Sequence, residues 1–236
     1  MEFIFLDTET TGNDPKKDRL CQVCYKTAKE TKTEYFKPPI PMSVKSMSVT
    51  HITNKMLGDK KPFSESQMKK DLEDLLKTNI LIAHNARFDC AMLEAEGLKV
   101  PNYICTLRVA RYLDTNGVVP EYNLQFLRYY LGLEIEGTAH DAEGDVNVLE
   151  AVFNRLFSKI KETAPEDEEV IKKMIEISAT PTLFTKFSFG KHKDKKIEEV
   201  LKLDRGYLEW LLNQKLSDEA DMEDDWVYTL QYYLKK

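Results

Sequence analysis

The chain has 236 residues, 42% of them hydrophobic, and its 34 Lys and Arg against 40 Asp and Glu give a formal net charge of −6. That apolar content excludes a disordered chain and allows a real core, as one large domain or one ordinary domain with a smaller appendage. No apolar run approaches the roughly 20 residues of a membrane helix, and the acid excess excludes a surface that is basic all over.

The N-terminal MEFIFLDTET has no basic stretch leading into a long apolar segment, so no secretory leader is read and the cytoplasm is expected. Residues 2–6, EFIFL, form a short apolar run that fits a strand buried on both faces. Segments 19–27 and 33–37 are further strands, and the three predict a meander. A proline-rich loop, 37–43, leads on to an amphipathic helix over 64–78 opened by a Ser cap. Then come a strand at 79–85, a helix at 86–98 ended near Gly97, and a YICT run passing into LRVARYL. YNLQFLRYYLG and a long helix from about Asp141 to Lys161 complete this part. Strands first, then strands alternating with helices, predict a sheet covered by helices, of α/β or α+β class. An acidic stretch with a proline opens a connector, which includes the helical segment EEVIKKMIEISA and precedes a distinct C-terminal unit. The expected division is 1–162, a connector 163–182, and a small α+β unit 183–236.

Cys21 and Cys24 form a C-x-x-C, but no second pair or nearby His completes four ligands. Residues three apart on a strand face opposite sides, so these two, with Cys90 and Cys105, are expected as buried free thiols.

Three segments carry acids in positions that matter. Asp7 and Glu9 stand two apart at the end of the first strand and share a face. Side-by-side carboxylates repel, burial worsens this, and a hard divalent cation between them removes it. Asp89 lies just past the first turn of a helix that follows His84 and Asn85. Asp145 sits on the long helix, with His140 five residues earlier. Five residues are about 500° of helical turn, which puts His140 off that face and in the entry loop. Each segment alone also reads blandly: a solvated loop edge, an acid at a helix N-terminus, an ordinary helix start.

Together, in this order, D-x-E, H-N-x-x-F-D after a strand and H-x-x-x-x-D on a helix resemble the DEDDh exonucleases of the DnaQ-like family. The tyrosine branch of that family would place Tyr where Asp141 stands. The resemblance implies a ribonuclease H-like mixed sheet flanked by helices, and hydrolysis from the 3′ end to nucleoside 5′-monophosphates. It implies two divalent ions, Mg2+ or Mn2+. Asp7 would bridge both, Glu9 and Asp145 would complete one, and Asp89 would support the other. His140, with an ordinary pKa near ~6.5, is suited to take the proton of the attacking water. Thr8, Thr10 and Thr11 would offer N–H groups or hydroxyls near the terminal nucleotide, and His84 and Asn85 would also meet substrate. Phe88 would pack beside a base or fill core, with core preferred.

Segments 47–63, 103–113 and 122–133, and above all the F-x-F-G-K and GYL-x-WL pattern of the tail, resemble the exodeoxyribonuclease X group of that family. That implies DNA as partner, as single strands or duplex 3′ ends, with RNA as the alternative and no membrane. A proofreading exonuclease on a polymerase and a non-catalytic nucleic-acid module are the other readings. His51, Thr50 and Asp194 depart from the group's pattern, Asp194 at a turn position where Gly is usual. Phe187 to Gly190 and the lysines after it predict a short hairpin whose tip, with Lys191 and Lys193, either touches phosphates or is simply solvated. Tyr207, Trp210 and Leu211 fall at i, i+3, i+4, which predicts core packing.

Overall fold

The computed structural model describes residues 2–135, 142–164, 166–217 and 224–235. Strands β1 (Phe3–Thr10), β2 (Leu20–Lys26) and β3 (Thr31–Tyr35) form the predicted antiparallel meander. Strands β4 (Ile80–Ala83) and β5 (Tyr103–Cys105) add in parallel on the other side, giving the order β3-β2-β1-β4-β5. β1 runs past the apolar segment through Asp7 and Glu9 because β2 lies opposite it as far as Leu20, with a register shift between Glu9 and Thr10.

Two cores cover the two faces. Helices α1 (Val44–Thr50) and α2 (Asn54–Leu57) lie in the long connection after β3. Helices α3 (Gln67–Leu76) and α4 (Ala86–Ala95) cover one face, where Leu72, Met92 and Leu93 meet Ile4, Leu6 and Leu81. The Ser cap of α3 is Ser66, whose side chain accepts from the Lys69 N–H, and Gly97 takes φ 85 after α4. On the other face lie α5 (Thr106–Leu113), α6 (Leu124–Tyr130) and the 20-residue α7 (Ala142–Lys161). Phe153 of α7 stands edge-on to Phe3 at 5.0 Å and to Phe5 at 5.5 Å. Alternation along β1 therefore explains its continuous apolar run: Ile4 and Leu6 feed one core, Phe5 the other. Cys21 and Cys24 enter different clusters, and all four cysteines are free and buried.

Helix α8 (Asp167–Ala179) lies within the span read as a connector, yet it is part of the main core. Val170 and Met174 are fully buried there, and the Ser178 hydroxyl accepts from the Cys105 N–H at 2.8 Å. Helices α9 (Ile197–Leu203), α10 (Arg205–Ser217) and α11 (Asp224–Leu234) gather around Phe187, Leu208, Trp226 and Leu230 as a separate small core. The hairpin expected before them is reduced to one bridge, Lys186 to Lys196. Gly190 at φ 70 starts a short 3-10 turn instead, and Asp194 adopts φ 68, the left-handed conformation that explains why Gly suits that position. Trp210 is 53% exposed, so the expected apolar stripe buries Leu211 and part of Tyr207 only. Among the described residues no helix is long and apolar enough to cross a membrane.

Candidate active site

β4 stops at Ala83, and its last partner on β1 is opposite Phe5. The second half of β1, with Asp7 and Glu9, therefore runs on beyond its parallel neighbour, at the carboxyl ends where open α/β sheets bind ligands. The chain leaves β4 through His84 and Asn85. Asn85 takes φ 64, a tight turn that starts α4 at once and sets Asp89 in its first turn. Asp89 is 4% exposed and accepts from the Thr8 hydroxyl at 2.7 Å, across 81 residues of sequence. Asp145 reaches the same place from the first turn of α7, where it accepts from the Gln125 side-chain amide at 2.5 Å. Lys26 fastens α7 over the sheet through Glu150 at 2.7 Å and Asn147 at 2.9 Å.

Electrostatics register the convergence. Burial, then the charges of Asp89, Glu9 and Asp145, push the Asp7 carboxyl well above the usual range. Burial and then Asp145 push Glu9 up to about 7. Burial does the same to Asp89, also to about 7, with Glu9 adding to it and the Thr8 hydroxyl opposing it. Acids from β1, α4 and α7 thus share one low-dielectric pocket in which they cannot all be charged unless a cation joins them. Among the described residues no three His, Cys, Asp or Glu side chains stand close enough to form a ready-made cage. An all-carboxylate donor set fits hard cations that favour oxygen, Mg2+ and Mn2+.

The raised pKa values set a sign for stability. The folded chain holds protons that the unfolded chain releases above about pH 4–5, so this contribution is full in acid and lost as pH rises toward about 7. Thermal unfolding in chelator should therefore lose stability from pH 5 to pH 7.5 at this site, roughly the span between free and folded values. The gain in Tm on adding Mn2+ should widen over the same range. A gain that is flat with pH would contradict the shared-pocket electrostatics.

Other residues expected at the site lie differently. The Thr10 hydroxyl donates to the Gly12 carbonyl at 2.6 Å, and that of Thr11 donates to Asp18 at 2.9 Å and accepts from the Arg19 N–H. With Thr8 on Asp89, all three hydroxyls are committed within the protein. These bonds shape the loop after β1. A Cβ on Gly12 would stand 2.4 Å from the Asp18 carboxylate, so a larger residue there would displace Asp18 from its bonds to Thr11 and the Asp14 N–H. His84 is also committed: Nδ1 meets the Thr106 hydroxyl at 2.9 Å and Nε2 the Tyr122 carbonyl at 2.7 Å. A carbonyl only accepts, so Nε2 carries the proton. Burial lowers this ring's pKa to about 4, so it stays neutral and braces the loop that carries Tyr122. Asn85 is exposed and makes no cap hydrogen bond, and Phe88 packs against the α3–α4 core. Lys191 pairs with Asp204 at 2.8 Å, which ties up the charge expected on phosphate, whereas Lys193 is exposed. His140 lies outside the described residues.

Two contributors were not read from sequence: Gln125, which holds Asp145, and Ser46, whose hydroxyl donates to the Thr11 carbonyl at 2.5 Å. The only sequence signal for Gln125 was a polar residue among the apolar positions of a helical run that also holds Arg128.

Comparison with known proteins places this geometry. The exonuclease family model matches residues 4–153, and an exodeoxyribonuclease X-like C-terminal model matches residues 187–215. Exodeoxyribonuclease 10 of Escherichia coli is 29% identical over 204 residues, covering 84% of this chain and 82% of the relative. DNA polymerase III subunit epsilon of Treponema pallidum is 31% identical over 169 residues, covering 66% of this chain and 76% of the relative. Among solved structures, exonuclease X in complex with 5′ overhanging duplex DNA superposes with a TM-score of 0.58 at 22% identity. That match covers 75% of this chain and 99% of the other. E. coli exonuclease I with a dT13 oligonucleotide gives 0.55 at 21% identity, over 67% of this chain and 43% of the other. The five-stranded mixed sheet flanked by helices is the ribonuclease H-like fold of these enzymes.

Proposed function

We propose that this chain, which belongs to the exonuclease family, removes nucleotides from DNA 3′ ends by metal-dependent hydrolysis, releasing nucleoside 5′-monophosphates. The observation that carries the proposal is the meeting of Asp7, Glu9, Asp89 and Asp145, from three separate elements, as a cluster of mutually repelling carboxylates in which Asp89 is buried and the others half-buried. These four side chains would hold two divalent ions, which when bound supply water activation and neutralise the leaving oxygen's charge.

The chain's own residues do the rest. Asp7 lies among the other three acids and would belong to both ion sites. The Thr8 hydroxyl and the Gln125 amide fix the orientation of Asp89 and Asp145, so little rearrangement is left for the moment of reaction. His140, two residues before the start of α7, would accept the water proton, and its ordinary pKa near ~6.5 suits that at neutral pH. Asn85, exposed at the turn beside the acids, would meet the terminal nucleotide.

The name of the Treponema relative favours a second reading, a proofreading exonuclease on a polymerase. The match of residues 187–215 to an exodeoxyribonuclease X-like unit favours a free-standing enzyme. Co-purification of a polymerase would favour the second reading, and a digestion panel tests the activity itself: single-stranded DNA, blunt and recessed duplexes, and RNA, each with a 5′ label, Mn2+ and a chelator control. Ladders shortening from the 3′ end, with 5′-mononucleotides as product and DNA preferred, are expected. Shortening from the 5′ end, internal cuts, or activity in chelator would contradict the proposal.

A further inference from the structure

Between the main domain and the C-terminal unit runs a cleft of about 1340 Å3. One end is lined by His84 and Asn85, the turn that carries Asp89 into α4, so the cleft begins beside the acidic pocket. One wall comes from α5, α8 and the loop 114–123; the other comes from residues 183–189, Lys193 and Trp226. The bond from His84 to the Tyr122 carbonyl holds the loop at the near end, and Arg111, at 5.0 Å from the Phe184 ring, ties the two walls together.

The two walls match in chemistry. On the main domain Tyr112 is 47% exposed, with the Lys173 ammonium 5.8 Å from its ring centroid. Across the cleft Phe189 is 36% exposed, its ring edge-on to Trp226 at 4.9 Å, with Lys186 and Lys193 nearby. None of the three lysines makes an ion pair among the described residues, unlike Lys191 a few positions away. Carboxylates also line the cleft, but that of Asp114 is already satisfied by the Val118 and Val119 N–H groups and the Tyr122 hydroxyl. Glu121 accepts from the Asn123 amide, and Glu176 of α8 and Asp194 beside Lys193 are exposed and make no ion pair among the described residues.

We propose that this cleft binds single-stranded polynucleotide just behind the 3′ end, with Tyr112 and Phe189 stacking on unpaired bases and Lys173, Lys186 and Lys193 meeting phosphates. The inference rests on the exonuclease reading, which puts the scissile end at the acids. Exposed aromatic rings with adjacent ammonium groups are the means by which single strands are held without regard to sequence. Paired bases present no free faces to such rings. The volume exceeds the roughly 300–1,000 Å3 of a small-molecule pocket, so it has room for more than one nucleotide.

The test is equilibrium binding of a labelled oligothymidylate of about 15 nucleotides to the full chain in chelator, where hydrolysis cannot intervene. Combined Lys173→Ala, Lys186→Ala and Lys193→Ala should weaken binding at least ~10-fold at low salt. They should also make the log–log salt dependence shallower by about 2, since each phosphate contact on a single strand contributes ~0.7. Phe189→Ala should weaken binding with the salt slope unchanged, and Glu176→Gln should tighten it. The same losses on an oligouridylate would extend the site to RNA. All variants should cleave the p-nitrophenyl ester of thymidine 5′-monophosphate, too short to enter the cleft, as the parent does. Triple-variant binding within about twofold of the parent, with the same slope, would overturn the inference. So would a loss confined to blunt duplex. A parent chain that binds the oligonucleotide but cleaves neither substrate would fail the exonuclease reading and leave the cleft standing.

Discussion

Asp7→Asn should lower kcat on a 3′-terminal substrate by on the order of 10³-fold, about 4 kcal/mol of barrier, without destabilising the fold. Asp7 is the acid on which the other three all act, so replacing it removes the ligand that would belong to both ions. Asn keeps the shape but not the charge, and a neutral amide holds a divalent ion far less well than a carboxylate. Stability responds the other way. Burial and repulsion already favour the protonated form of Asp7, and Asn resembles that form. The variant's Tm in chelator should equal or exceed the parent's near neutral pH, the usual sign of an acid kept for function at a cost in stability. Manganese should then raise the parent's Tm and have little effect on the variant. Steady-state kinetics with paired melting curves checks both halves. Activity within about tenfold of the parent would contradict the assignment of Asp7.

Asp225→Ala should be the most damaging single change away from the acids, costing about 3–5 kcal/mol. Asp225 is 2% exposed and accepts from Arg108 at 3.0 Å, Arg111 at 2.6 Å and the Thr182 N–H at 2.9 Å. Arg108 is itself buried and also donates to the Ser178 carbonyl at 2.8 Å. One carboxylate thus joins α5, the end of α8, the start of the tail and α11. Truncation leaves buried guanidinium groups without a counter-charge, and that penalty far exceeds the net worth of the intact pair. For a chain of this size the loss corresponds to a Tm lower by roughly 10 °C. Because residues 187–234 have their own apolar cluster, the melt should also broaden or split as this unit separates from the main core. The aromatic and basic walls of the cleft would part with it. Calorimetry on the full chain gives the answer, and an unchanged, single transition would contradict the account of how the tail is docked.

What the sequence made legible follows from how far apart the interacting groups lie. The apolar run before Asp7 and the spacing of Glu9 fixed a strand face, because alternation is a local property. The meander and a Ser cap on α3 were readable for the same reason, although the helix starts at Gln67 behind Ser66 and not at 64. Asp89 was different. Its own segment favoured an ordinary acid at a helix start, the joint motif alone marked it as a metal ligand, and its bond to Thr8 across the fold shows it turned inward and buried. Gln125 and Asp145 are 20 residues apart on separate helices, a pairing no periodicity encodes. The bonding partners of Thr10 and Thr11 were not legible either, because nearby backbone and carboxylate groups compete for short hydroxyl side chains. Segment 163–182 read as a connector from its acidic, proline-containing start. Its docking depends on Ser178, which accepts from Cys105 and Arg108, partners supplied by a strand and a helix about 70 residues earlier.

The most direct test of the shared acidic pocket is a calorimetric titration of the full chain with Mn2+ at neutral pH, in the absence of nucleic acid and again with a 3′-terminal nucleoside 5′-monophosphate present. The account predicts two ions per chain with the nucleotide bound, accompanied by proton release as the raised carboxyls of Glu9 and Asp89 give up their protons. Binding of no ion, or binding without proton release that is indifferent to Asp7→Asn, would contradict it.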